Sequence, residues 1–233
     1  PSVDCWLTSS QFVRQQLQRY LADWSVPEKP INVLPMGWDS FDPLRGAGHD
    51  RLSDRLVLGR HGLVDKPFIL SVGTIEPRKN VPALLDAAEG LRARFGDVMP
   101  RLVIVGGYGW KAAEVRTRLA AGSRNGTLLW LENLSDVDLG VLYRNALFTV
   151  MPSHGEGWGL AVQESLALGV PCIASDAGAT REAGLDLANY FDPSSSEGLT
   201  RAMAAWISDG AALAAARDRI ARALATQTFP SWN

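Results

Sequence analysis

From Lys66 onward, short apolar runs alternate with amphipathic stretches of helical period, and this alternation constrains the fold more than any other feature of the sequence. It is the signature of a parallel sheet flanked by helices. Strands are expected at 68–72, 102–105, 128–131, 147–151, 172–174 and 190–191. Helices are expected at 81–95, 112–121, 136–145, 160–168 and 180–183, followed by two alanine-rich helices at 197–208 and 211–226. Pro82 falls in the first turn of the 81–95 helix, where a missing N–H is tolerated, and Asn80 is expected to cap that helix through its side-chain oxygen.

The first 65 residues follow a different pattern. A strand at 3–8 leads into a helix capped by Ser9 or Ser10, with Val13, Leu17, Tyr20, Leu21 and Trp24 on one face. Core packing is the expectation for that face; with Arg14 and Arg19 as its only basic residues, a membrane-surface helix is the weaker reading. A second strand in Ile31-Asn32-Val33-Leu34 ends in a turn at Asp39, and residues 42–64, rich in glycine and charge, read as a lead-in loop. Both ends look cut. The first 65 residues are expected to be the last element of a preceding domain, a connector and the lead-in loop.

Composition narrows the function classes. With 233 residues, 46% apolar and 21% charged, the chain has ample material for a buried core. A net charge of −2 supplies no basic field, so no nucleic-acid partner is expected. No apolar run approaches the ~20 residues that span a bilayer. Cys5 and Cys172 stand far apart without metal-ligand spacing, and the three histidines do not cluster, so no metal site is expected. Within the run Val170-Pro171-Cys172-Ile173-Ala174, Cys172 reads as a buried, reduced thiol.

The chemistry is concentrated in two stretches. Pro152-Ser153-His154-Gly155-Glu156-Gly157-Trp158-Gly159-Leu160-Ala161-Val162-Gln163-Glu164 sets two glutamates in a glycine-punctuated turn between an apolar strand and a helix. A helix N-terminus carries roughly half a positive charge and free backbone N–H groups, which makes this turn a seat for phosphate. Glu164 lies about one helical turn (~5.4 Å) further in. It is badly placed for phosphate and well placed to accept hydrogen bonds from sugar hydroxyls. Gly157 and Gly159, bracketing Trp158, let backbone approach a ligand closely.

The second stretch, Ser71-Val72-Gly73-Thr74-Ile75-Glu76-Pro77-Arg78-Lys79-Asn80, places two adjacent cations in a loop between a strand and a helix. Loops beyond the carboxyl ends of parallel strands are where open α/β sheets bind ligands. Arg78 can clamp two phosphate oxygens with its planar fork, Lys79 adds a compact charge, and Pro77 stiffens the loop. Taken alone, Arg78 and Lys79 also read as surface cations paired with Glu76, and the two glutamates as the acid and base of a glycoside hydrolase. A hydrolase, however, has no need of a phosphate-ready helix N-terminus faced by cations. The combination points to a nucleotide-sugar site.

Together and in this order, the two motifs resemble retaining glycosyltransferases of family 4 (group 1). The resemblance implies an α/β fold, a Rossmann-like parallel sheet flanked by helices, forming one half of a GT-B two-domain architecture. Residues 1–39 are then the end of the acceptor domain and the interdomain connector, and residues 40–233 the C-terminal nucleotide-sugar-binding domain. Carried over by position, the resemblance implies catalytic roles for Arg78, Lys79 and Glu156. The cations hold the donor diphosphate, and Glu156 lies beside the transferred sugar as electrostatic support and not as nucleophile. Donor contacts are implied for Gly73, Gly157, Trp158, Gly159 and Leu160, ribose hydrogen bonds for Glu164, and a base seat for Glu132, Asn133 and Leu134. Gly106 and Gly107 either line the same cleft or make a tight strand-to-helix turn.

Some positions depart from the family pattern. Trp158 stands where phenylalanine is more frequent, adding bulk beside the sugar, and Glu132-Asn133 stands where a glycine is usual. Asp176-Ala177-Gly178-Ala179-Thr180-Arg181-Glu182 only loosely matches a glycine-rich turn before a Pro-Glu pair, so Glu182 is expected to be a first-turn helix carboxylate. The implied reaction moves a hexose, with retention, onto a glycan or lipid-linked acceptor in bacterial polysaccharide or lipopolysaccharide-type biosynthesis. The Glu-Pro-Arg-Lys-Asn form of the cation loop resembles members using GDP-mannose, which is favoured over a UDP-sugar. No metal or other cofactor is implied, since the cations and the helix N-terminus can stabilise the leaving phosphate. The implied location is cytoplasmic, with any peripheral contact at the inner face of the membrane made through the missing acceptor domain. The alternatives are a non-catalytic nucleotide-sugar-binding module and another GT-B enzyme, such as a phosphorylase or sugar-nucleotide epimerase.

Overall fold

The computed structural model describes residues 3–38 and 51–231. The first segment makes a parallel two-stranded sheet of its own, β1 (Trp6–Thr8) and β2 (Ile31–Val33), joined by helix α1 (Gln11–Asp23). Helix α2 (Arg51–Arg60) follows, with Val57 and Leu58 buried. That helix corrects the sequence expectation of a loop through residues 42–64. The turn at Asp39 and residues 42–50 of the expected loop lie outside the described residues.

The second sheet contains β3 (Phe68–Val72), β4 (Arg101–Val105), β5 (Leu128–Leu131), β6 (Thr149–Met151), β7 (Cys172–Ser175) and β8 (Asn189–Phe191). All pairings are parallel, in the order β5-β4-β3-β6-β7-β8. The crossovers are α3 (Val81–Phe95), α4 (Ala113–Arg124), α5 (Asp136–Asn145), α6 (Leu160–Ala167) and α7 (Thr180–Gly184), and α8 (Ser196–Ser208) and α9 (Gly210–Thr226) follow β8. The central strands are mostly apolar because both faces are covered. Phe68 and Leu70 pack into one layer with residues of α2, α5 and α6, whereas Ile69 packs into the other with residues of α3, α4 and α8. Helix α9 serves both layers, through Ile220 and Ala223 on one side and Leu213 and Ala216 on the other.

Chain order reverses between β3 and β6, where Leu70 pairs with Thr149. In an open parallel sheet this switch point leaves a crevice beyond the strand ends, the usual place for a ligand. Two details of the helix starts differ in kind. Ser10 caps α1, its Oγ accepting from Val13 N–H at 3.1 Å. Asn80, in contrast, makes no side-chain cap for α3; it sits at φ +50° and closes the preceding turn by donating its N–H to the Pro77 carbonyl at 3.1 Å. The expected α1 core face is only partly buried: Leu21 is enclosed, but Tyr20 and Trp24 are exposed. Cys172 is buried and unpaired with Cys5, as expected, and the indole of Trp38 stacks on Phe229 at 4.1 Å. Among the described residues, no helix is long and apolar enough to cross a membrane.

Candidate active site

Three loops meet beyond the carboxyl ends of β3, β6 and β7. Residues 73–80 leave β3, make a short 3-10 turn over Pro77–Lys79 and enter α3. The loop after β6 is stitched to them: His154 N–H donates to the Arg78 carbonyl at 2.8 Å, and Arg78 Nη1 donates to the Gly155 carbonyl at 3.0 Å. The turn after β7 closes on the other side, Ala179 N–H donating to the Glu156 carbonyl at 2.9 Å. Gly178 lies so close that a Cβ there would come within 2.4 Å of that carbonyl oxygen, and its φ of +68° independently favours glycine.

This frame gathers four charged side chains. Glu156 Oε1 accepts from Lys79 Nζ at 2.8 Å and from Ser153 Oγ at 2.7 Å, while Oε2 accepts from Arg78 Nη1 at 2.5 Å. Arg78 Nη2 donates to Glu76 Oε1 at 2.8 Å, and Glu76 Oε2 accepts from Trp110 Nε1 at 3.2 Å. The ion pair with Glu76 therefore coexists with the one that bridges the loops. Burial by itself would raise the Glu156 carboxyl, but the Lys79 hydrogen bond and charge, Ser153 and Arg78 together hold it below the usual carboxylate range. Glu164 is shifted the other way. Its burial outweighs the hydrogen bond from Tyr143 and the charge of Lys79, and its carboxyl is raised.

The remaining expected residues divide into those at the cluster and those apart from it. Gly73, at φ +151°, lies beneath Lys79, whose Cε would be 3.2 Å from a Cβ there. A cleft lined by Gly73, Lys79, Ser153, Glu156 and Gly159 runs between the loops. Gly159, at φ +111°, is the residue before α6, and no side chain caps that helix. Gly157 turns its carbonyl toward the first segment, accepting from Ser9 Oγ at 3.0 Å and Ser10 Oγ at 2.8 Å. Leu160 is exposed at the start of α6, and the Trp158 indole points inward, buried and donating to Gln163 Oε1 at 2.5 Å. The bulk of Trp158 is thus taken up inside the protein and not beside the cleft. Glu132, Asn133 and Leu134 stand apart, in the loop after β5. Glu132 Oε1 accepts Tyr108 N–H at 3.2 Å, Asn133 has φ +55°, and Leu134 packs on the core. Gly106 is required by packing, since a Cβ on it would be 1.9 Å from the Gly73 carbonyl oxygen.

Against this geometry, the family model for glycosyl transferases group 1 matches residues 59–224. The chain belongs to the group 1 glycosyl transferases. This group 1 chain is similar to O-antigen chain mannosyltransferase B of Escherichia coli, with 34% identity over 137 residues, 59% of this chain and 36% of that protein. It is also similar to D-inositol 3-phosphate glycosyltransferase of Jonesia denitrificans, with 34% identity over 165 residues, 68% of this chain and 37% of that protein. Among solved structures, Anabaena Alr3699/HepE in complex with UDP matches with a TM-score of 0.71 and 17% identity, covering 98% of this chain and 60% of that one. The chain spans little more than a third of the length of these two curated relatives. Its fold is the Rossmann-like half of a GT-B glycosyltransferase.

Several partners in this group 1 site had no assigned role in the sequence reading. Ser153 lies three residues before Glu156 inside the quoted motif, so its place was visible though its bond was not. Tyr143, whose hydroxyl donates to Glu164 Oε2 at 2.6 Å, gave no signal beyond the apolar period of its helix. Glu182 is a first-turn carboxylate of α7, as expected, yet its oxygens serve another helix: they accept Gln11 N–H at 2.7 Å and Phe12 N–H at 2.8 Å.

Proposed function

We propose that this chain is the donor-binding part of a retaining hexosyltransferase of family 4, with residues 40–233 holding the nucleotide sugar and residues 1–39 ending the acceptor domain. The observation that carries this reading is the Arg78–Lys79–Glu156 cluster at the β3/β6 switch point, beside the uncapped start of α6. Cleaving a sugar from a diphosphate builds negative charge on the leaving phosphate and positive charge at the anomeric carbon. Arg78, Lys79 and the α6 amides suit the first charge, with no metal required; Glu156, anionic at neutral pH, suits the second. A carboxylate held this firmly by cations and Ser153 is a poor proton donor and a poor nucleophile. Attack by the acceptor from the leaving-group face would then give retention.

The name of the Escherichia coli relative supports a mannosyl donor, hence GDP-mannose, and the Anabaena complex supports UDP as the competing base. The acceptor in this reading is a glycan or lipid-linked sugar, met on the cytoplasmic side of the membrane through the acceptor domain. The test is nucleoside diphosphate release by the full protein from GDP-mannose and UDP-glucose, with and without a glycan acceptor, and the anomeric configuration of the product by NMR. Acceptor-dependent release with a retained anomer is expected. Release from neither donor, or inversion, would overturn the reading. Arg78→Ala and Lys79→Ala should each lower kcat by about a hundredfold or more, and near-normal turnover of either would remove the leaving-group role.

A further inference from the structure

We infer that Tyr143 is a positioning residue that holds one oxygen of Glu164 so that the other is presented to the ribose of the donor. The inference rests on the proposed reading of Glu164 as the ribose ligand. Tyr143 lies on α5 and is fully buried in the layer that also holds Val141, Leu142, Val162, Leu166 and Cys172. A phenylalanine would pack equally well in such surroundings. A phenol there is costly unless its hydroxyl is bonded, and the bond it makes is to Glu164 Oε2 at 2.6 Å.

The direction of that bond is fixed. Burial, then the charge of Glu164, push the Tyr143 hydroxyl well above its ordinary range, so it stays protonated and donates. The neighbouring Cys172 thiol is pushed up to about 12 by burial and stays neutral. The other charged groups facing Glu164 are Lys79, from the turn before α3, and Asp136, from the start of α5. Lys79 favours the ionised carboxyl and Asp136 disfavours it. Among the described residues Tyr143 is the hydrogen-bond partner of Glu164, which leaves Oε1 as the acceptor for a ligand hydroxyl. A glutamate held by one oxygen from inside the core loses its rotamer freedom before the ligand arrives, which is the usual source of preorganised affinity.

The experiment compares GDP with 2′,3′-dideoxy-GDP, and UDP with its dideoxy form, by calorimetry on the wild type, Tyr143→Phe and Glu164→Gln across pH. Wild type should prefer the ribonucleotide by about tenfold or more, the size of a hydrogen bond to a charged group. Tyr143→Phe, which keeps the ring, should fold normally, lose most of that preference, and lose affinity at a higher pH than wild type as the pH falls. Glu164→Gln should lose this pH step. Full retention of preference and pH midpoint in Tyr143→Phe would overturn the inference. A second readout needs no nucleotide: the Glu164 carboxyl followed by infrared titration should ionise at higher pH in Tyr143→Phe, and an unchanged midpoint also overturns it. If the wild type binds neither GDP nor UDP, the proposed function falls first and the ribose role of Tyr143 with it.

Discussion

Glu156 and Glu164 belong to one motif, yet they affect stability in opposite directions. The folded-state carboxyl of Glu156 is lowered, so its contribution is present above the ordinary carboxylate range and is lost as pH falls through the folded value. The carboxyl of Glu164 is raised, so its contribution is present below the ordinary range and is lost as pH rises through the folded value. Above its raised folded value, therefore, Glu164 is ionised at a cost to the fold. Glu164→Gln should raise the Tm at pH 7–8, by roughly 2–4 °C for each kcal/mol recovered in a chain of this size, and should weaken nucleotide binding. Near pH 4 the two proteins should melt together. Glu156→Gln should do the reverse at neutral pH, lowering the Tm by leaving Arg78 and Lys79 without their shared carboxylate. Melting curves across pH check both, and the same sign for both variants would contradict the assignment.

Among the elements, the glycines and the caps decide which substitutions are tolerated. Gly90 in α3 has open space around its Cβ position, so Gly90→Ala should stabilise by about 0.5–1 kcal/mol. Gly106→Ala drives a methyl into the Gly73 carbonyl and should lose both fold stability and nucleotide binding, because it pushes the Lys79 loop off β4. Denaturant titration of the pair tests this contrast. Glu182→Ala should free the Gln11 and Phe12 amides, costing about 0.5–2 kcal/mol as for other lost caps. Hydrogen exchange at those two amides should rise while β3 amides stay protected; unchanged exchange would rule out the clasp. The strands and most helices were legible because their apolar period is uninterrupted, as in Phe68–Val72 and Asp136–Asn145. Helix α2 was not, because glycine and charge around it hide the short face of Val57 and Leu58. In the site, Arg78, Lys79 and Glu156 could be read from their motifs. The bonds Tyr143–Glu164, Ser10–Gly157 and Glu182–Gln11 could not, since each joins residues more than ten apart in the sequence and no local spacing records them.

For the whole molecule, the first segment is tied to the loops beyond the six-stranded sheet. Ser10 accepts the Val13 amide of its own helix and donates to the Gly157 carbonyl, so the cap of α1 is also a tether to the loop that carries Glu156. Leu7, Tyr20, Trp24 and Leu34 are exposed on that segment, and the rings of Tyr20 and Trp24 lie 6.0 Å apart. The charge arrangement of the cleft has a consequence for kinetics. Arg78 and Lys79 are already matched by Glu76 and Glu156, so the cluster carries its own counter-anions. Seen from a distance the cluster is close to neutral, so under the proposed function a nucleotide would not be drawn in by a positive field and would have to displace a carboxylate from the cations. Raising salt from about 20 to 200 mM should then change the association rate only slightly, although a bare pair of cations would lose much of its steering over that range. The cleft would select for ligands able to outcompete an internal anion, which free phosphate does poorly and a chelating diphosphate does well.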